Sequence, residues 1–205
     1  MLHATNHLKS SDPVLAAIIE RCGPCNISYC EPEFSTLVRS IANQQLSGKA
    51  AATILGRLMD AAGGKLTPES ILKLTPQRMR KCGFSGPKTA YIRELARMSR
   101  DGKIPYAKFP TMTDEEVIAT LTQVKGIGVW SAHMFLIFAL RRENILPVGD
   151  LGVRAAIKRA YKTRGTKKDP LPNPKQMQKL AKSWHPYCSI ATWYLWRSLE
   201  GPAEL

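Results

Sequence analysis

The chain has 205 residues, 44% of them hydrophobic and 22% charged, enough to bury a core in one domain or two small lobes. Thirty lysines and arginines against sixteen aspartates and glutamates leave a formal charge of +14, which points to a polyanionic partner, nucleic acid ahead of a membrane surface or an acidic protein. The longest unbroken apolar run, Met134 to Leu140, falls far short of the roughly 20 residues of a membrane span, and MLHATNHLKSSD has no signal-peptide core, so an intracellular protein is expected, cytoplasmic or nucleoid-bound, nuclear in a eukaryote.

Helix signals then recur along the chain. Asp12 caps a helix with Pro13 at its first position, and Gly23 ends it. Cys22-Gly-Pro-Cys25 spells a dithiol pair, but such a redox motif needs a strand before it and a helix after it. Here it follows a helix and precedes the turn-like NISYCEPE, and five cysteines, an odd number, argue against a disulfide framework. It reads as a helix end. Pro32 or Glu33 opens EFSTLVRSIANQQ, Ser47 caps GKAAATILGRLMDAA, and Gly63-Gly64 stops it. Thr67-Pro68 and Thr75-Pro76 begin two short helices, the second closing at Gly83. Pro87 starts KTAYIRELARMSR, and Thr113 with Glu116 forms a capping box for DEEVIATLTQV. VWSAHMFLIFAL is apolar on nearly every face and predicts a buried central helix. Asp150 heads LGVRAAIKRAY, and a last helix runs through SIATWYLWRSL. No segment alternates with strand period for long, so the fold class is all-α. RGTKKDPLPNPK, at 164–175, reads as a basic, proline-rich, mobile loop. It lies within a concentration of charge, Arg154, Lys158, Arg159, Lys162, Arg164, Lys167, Lys168, Lys175, Lys179 and Lys182, faced by the single acid Asp169. Part of such a run is ordinary solvated surface.

Lys125-Gly126-Ile127-Gly128 between two helices makes a helix-hairpin-helix. Glycines permit torsions and close approaches that side chains forbid, and the exposed amides with the start of the next helix form a seat for a phosphate. Such a contact is blind to base sequence and positions a duplex. Ile127 is expected to pack inward. An ordinary interhelical turn has the same spacing, so the motif gains weight from the basic charge beside it.

VKGIGVWSAHMF followed by LPVGDLGVR resembles the helix-hairpin-helix (HhH-GPD) DNA glycosylase superfamily. SIANQQLSGKAA, CGFSGPKTAYI and HPYCSIATWYLW extend the resemblance to the alkylpurine branch, the 3-methyladenine DNA glycosylase II type, over residues 12 to 199. A form with an extra N-terminal β-rich domain exists in bacteria, and this chain has the length of the compact form. The resemblance implies two helical lobes, 34–140 ending in the hairpin and 1–33 joined to 141–205, with a cleft between them. It implies a monomer acting on double-stranded DNA with alkylated bases.

On this resemblance Asp150 is the catalytic aspartate, stabilising the positive charge that develops on deoxyribose as an N-glycosidic bond breaks. Its position also suits a helix N-cap, and the two roles can coexist. Trp130 stands where bifunctional members carry a Schiff-base lysine, which implies a monofunctional enzyme. Trp130 and Trp196 match the aromatic residues of the base pocket, with Trp193 a neighbour on the same helix and Met134 where a pocket tyrosine stands in the bacterial enzyme. The turn Asn43-Gln44-Gln45-Leu46-Ser47 matches the segment that fills the hole left by a flipped base, with Gln45 the wedge, or Leu46 one residue on. Ser85, Gly86 and Lys88 are further phosphate contacts, with Lys125 and Gly126 to Gly128 at the hairpin. No cofactor or divalent metal is implied, and the four-cysteine iron–sulfur signature is missing from a C-terminal end that holds only Cys188. The resemblance is compatible with a monovalent cation at the carbonyls of 124–128. Two other readings stay open: a non-catalytic DNA-binding module using the hairpin alone, and a glycosylase for oxidised or deaminated bases.

Overall fold

The computed structural model describes residues 1–46 and 48–200, and among them are helices, short 3₁₀ segments and turns, without a strand. The all-α expectation holds. The chain forms two compact units, one gathering Met1–Tyr29 with the chain from Arg141 onward, the other Cys30–Leu140. The expected boundary at 33/34 moves to Tyr29/Cys30 because the segment before the next helix is stitched into the second unit. Cys30 N–H donates to Phe138 O at 2.9 Å, and Thr36 Oγ1–H donates to Glu31 O at 2.7 Å.

In chain order the helices are α1 (Leu2–Ser11) and α2 (Pro13–Cys22); then α3 (Phe34–Asn43), α4 (Gly48–Ala61), α5 (Pro68–Lys73), α6 (Pro76–Lys81), α7 (Gly86–Arg100), α8 (Asp114–Leu121) and α9 (Val129–Phe138); then α10 (Leu151–Tyr161), α11 (Pro174–Leu180) and α12 (Cys188–Arg197). Caps start them where the sequence places them. Asp12 Oδ1 accepts from Val14 N and Leu15 N at 2.9 and 3.0 Å, and Thr113 and Glu116 close a reciprocal capping box. The cap expected of Ser47 lies outside the described residues.

In the second unit α7 packs against α3, α5 and α6, and α8 against α9. α3 contributes Phe34, Leu37, Val38 and Ile41 from one face, and α7 contributes Ile92, Leu95 and Ala96. Burying a side chain of this size stabilises the fold by about 1.5–3 kcal/mol. In the first unit α12 is buried from Cys188 to Leu195 and packs on α1, α2 and α10. Asp12 joins its distant parts: Oδ2 accepts Tyr161 Oη–H at 2.7 Å and Trp184 Nε1–H at 2.8 Å. Burial and the Asp12 carboxylate together push the Tyr161 phenol far above its ordinary range.

Two elements differ from expectation. α1 has no counterpart in the sequence reading, because it buries only Ala4 and Leu8, one narrow stripe on an otherwise polar helix. The helix expected to be buried throughout, α9, exposes its first turn, with Val129 at 53% and Trp130 at 45%. The stretch expected to be mobile is a hydrogen-bonded loop that leads into α11, whose capping box pairs Asn173 with Gln176. Thr166 N–H donates to Asp169 O at 2.7 Å, Leu171 N–H to Asp169 Oδ1 at 3.1 Å, and Arg154 Nε–H to Pro172 O at 3.0 Å.

Candidate active site

The hairpin between α8 and α9 is built by one buried residue on each side of Gly126. Val124 and Ile127 are 0% and 3% exposed, and Ile127 N–H donates to Val124 O at 2.9 Å. Gly126 sits at φ +91°, and a Cβ there would lie 2.2 Å from the Tyr91 ring. Both the torsion and the ring demand glycine. Gly128 is different. It has φ −96°, a Cβ would meet nothing within 4 Å, and it heads α9 without a side-chain cap. Among the described residues nothing meets a Cβ at 128, so the amide end of α9 is left uncrowded. Lys125 is exposed beside it.

Two residues expected at the DNA contact make hydrogen bonds within the unit. Gln44 Nε2–H donates to Gly126 O at 2.8 Å, and Lys88 Nζ–H donates to Ala42 O at 2.9 Å and Gln44 O at 2.5 Å. The carbonyls at the end of α3 lack helical partners, so an ammonium from α7 satisfies them. Desolvation at this place pulls Lys88 below the usual lysine range. Ser85 likewise serves α7 as its cap, accepting Lys88 N–H at 3.4 Å, with Gly86 exposed beside it. The turn held by these bonds carries Gln45 at φ +58°, a left-handed conformation that costs a non-glycine residue about 1 kcal/mol or more. Gln45 is exposed and Leu46 is 40% exposed, while Ser47, the last residue of the expected wedge segment, lies outside the described residues.

Beneath this turn the second unit holds a cavity of ≈ 720 Å³, within the roughly 300–1,000 Å³ of small-molecule sites. Its walls are Trp130, Met134 and Phe138 from α9, Leu37, Ser40 and Asn43 from α3, and Gln44 and Gln45 from the turn. Trp130 and Met134, predicted as pocket residues, therefore share one cavity. Phe138 and Cys30 also line it and were not foreseen, since an apolar helix gives no periodic hint of which residue meets a void.

The first unit presents the carboxylate. Leu146 to Asp150 is a tight turn in which Asp150 N–H donates to Pro147 O at 2.9 Å, and it delivers Asp150 to the start of α10. Asp150 is 8% exposed, and its Oδ1 accepts two bonds, from Val153 N–H at 2.7 Å and from Trp196 Nε1–H at 2.9 Å. The N-cap role and a pinned, largely dehydrated carboxylate are thus combined, and the positive end of α10 favours negative charge there. Gly152 makes the indole contact fit: a Cβ at 152 would come within 3.1 Å of both Asp150 Oδ1 and Trp196 Cδ1. The sequence did offer a signal for this residue, a glycine in the first turn of a helix, where it costs about 1 kcal/mol against alanine. Trp196 is therefore a partner of the carboxylate. Trp193, expected at the base pocket, is 8% exposed, packed edge-on against Tyr194 with centroids 4.9 Å apart, with Arg197 over its ring. Three residues along α12 separate an indole facing Asp150 from one buried in the core.

Elsewhere in the same unit, Cys22 and Cys25 are free thiols, and burial raises Cys25, the opposite of a reactive redox cysteine. His133 on α9 is half-buried and pulled below the usual histidine range by desolvation, partly offset by Asp114.

Comparison with known proteins agrees with this geometry. DNA-3-methyladenine glycosylase 1 of Schizosaccharomyces pombe is 35% identical over 168 residues, which are 80% of this chain and 72% of that protein. Among solved structures, the S. pombe 3-methyladenine DNA glycosylase Mag1 in complex with abasic DNA matches with a TM-score of 0.81 at 32% identity, covering 95% of each chain. A DNA-3-methyladenine glycosidase from Bacillus halodurans matches at 0.82 with 34% identity, covering 94% of this chain and 87% of that one. Residues 38–186 match the family model for HhH-GPD superfamily base excision DNA repair proteins. Hairpin, capped aspartate and chain-long similarity together place the chain in the HhH-GPD superfamily of base excision DNA repair proteins.

Proposed function

We propose that the protein is a monofunctional DNA glycosylase of base excision repair, acting as a monomer on double-stranded DNA to release alkylated purines such as 3-methyladenine. The observation that carries the reading is Asp150 itself, 8% exposed with Oδ1 held by a backbone amide and an indole N–H. A carboxylate so fixed needs no reorganisation when positive charge appears beside it. The hairpin amides and Lys125 would hold a phosphate, and Gln45 or Leu46 would occupy the gap left by the extruded nucleotide. Trp130, 45% exposed at the cavity, offers an electron-rich face to a cationic methylated base.

In the reaction the C1′–N bond breaks and its electron pair neutralises the cationic purine, so the base leaves without a general acid. Water adds its oxygen to C1′, its proton passing to Asp150 or solvent, and the product strand is abasic and unbroken. The indole at position 130 cannot attack the sugar as a lysine would. Val124 and Gly126 each keep a second carbonyl lone pair, so the hairpin carbonyls suit a monovalent cation, which would add positive charge near the phosphate seat.

The test is incubation of methylated DNA with wild type and Asp150→Asn, followed by chromatography of the released bases. Wild type should free 3-methyladenine, and the variant should be slower by about 10²–10³-fold. Equal DNA binding with no base release by either protein would favour a non-catalytic binding module. Borohydride treatment should leave no covalent protein–DNA adduct; a stable adduct would exclude the monofunctional mechanism.

A further inference from the structure

The basic stretch that follows α10 is organised in a way that a merely solvated charge run is not. Lys162, Arg164, Lys167, Lys168, Lys175 and Lys179 are all exposed, on the loop and on α11. The loop carries one acid, Asp169, and it is turned onto Arg154 Nη2 at 2.5 Å. That guanidinium, with the Leu171 amide, holds the Asp169 carboxyl below the usual aspartate range. The loop is closed on itself at Gly165, where a Cβ would lie 2.2 Å from Asp169 O, and it is fastened to α11 by Gln176 Nε2–H donating to Arg164 O at 3.1 Å. Its negative charge is thus satisfied internally while its cations remain outside on a hydrogen-bonded frame.

We infer that this loop and α11 form a second contact surface for the phosphate backbone of duplex DNA, distinct from the hairpin and separate from base release. The chemistry favours phosphate over protein. A protein interface is anchored by exposed apolar or aromatic residues. Among the described residues the large exposed hydrophobics are Met1, Leu2, Tyr29, Leu46, Val129, Trp130, Leu151 and Leu199, none of them between 162 and 183. Met177 of α11 is fully buried. What remains outside is charge and polar backbone, suited to a polyanion recognised without sequence preference. The surface would retain the protein on undamaged duplex. The inference rests on duplex DNA being the substrate, and not on the identity of the released base.

The test is the salt dependence of binding to an undamaged duplex, by fluorescence anisotropy, for wild type and for Lys167→Gln/Lys168→Gln/Lys175→Gln/Lys179→Gln. A charge-matched control replaces Lys65, Lys73, Arg80 and Lys103 by Gln, all exposed in the second unit. Each lost phosphate contact lowers the slope of log K against log salt by about 0.9, so the loop variant should lose roughly three to four and the control less than about one. Single-turnover base release at saturating DNA should match wild type, and thermal denaturation should show both variants folded. Equal slopes for loop variant and control would overturn the inference and leave the face to an acidic protein. A wild type that binds with a steep slope but releases no base would sink the glycosylase reading alone.

Discussion

Trp196 Nε1–H reaches Asp150 Oδ1 at 2.9 Å because Gly152, two residues along the chain, has no side chain to keep the indole out. This explains how one aspartate can both cap a helix and keep a carboxylate oriented, and it allows the two duties to be separated by substitution. Asparagine caps as well as aspartate, so Asp150→Asn should shift stability by no more than about 0.5 kcal/mol while slowing base release by about 10²–10³-fold. Trp196→Phe keeps the ring and loses the donor. A hydrogen bond to a charged acceptor is worth about 1.5 kcal/mol, so single-turnover base release should fall roughly tenfold with DNA affinity unchanged. An equal fall in affinity would mean that Trp196 supports binding and not the geometry of the carboxylate.

At the level of the element, the hairpin assigns different work to its two glycines. Gly126 is required by φ +91° and by the Tyr91 ring, so Gly126→Ala should destabilise the protein by about 1–3 kcal/mol, visible as a lower Tm. Gly128→Ala should leave Tm within error, since a Cβ there meets nothing, but should weaken duplex binding severalfold by crowding the amide end of α9. Gln44 and Lys88 lock the neighbouring turn to this hairpin and to α7, which is why a non-glycine residue at φ +58° persists at Gln45. The hairpin and the turn are therefore a single braced piece within the second unit.

At the scale of the molecule, the first unit is assembled from two ends of the chain, and Asp12 is where they are joined. Its carboxylate caps α2 through Oδ1 and receives Tyr161 and Trp184 through Oδ2. Asp12→Ala removes the cap and leaves two inward-facing donors without an acceptor, a loss of about 3 kcal/mol. Chemical denaturation should show a lower midpoint with little change in base release per folded molecule. A midpoint equal to wild type would mean that water replaces the carboxylate.

What the sequence determined by itself was local. Asp12, Thr67, Thr75 and Thr113 each cap within four residues, Pro follows several of them, and the glycines of the hairpin stand two apart, so helices, hairpin and net charge were legible without any tertiary contact. The capped Asp150 was legible as well. The tertiary structure decided everything that depends on residues far apart: Gln44 meeting Gly126, Lys88 meeting the end of α3, and Trp196 meeting Asp150. It also turned Trp193 inward and gave internal hydrogen bonds to a loop that composition described as loose. The physical reason is range. A cap or turn is fixed by torsions and hydrogen bonds within a few residues, whereas the direction of a side chain on α12, or the acceptor an ammonium finds, is set by which helices pack together.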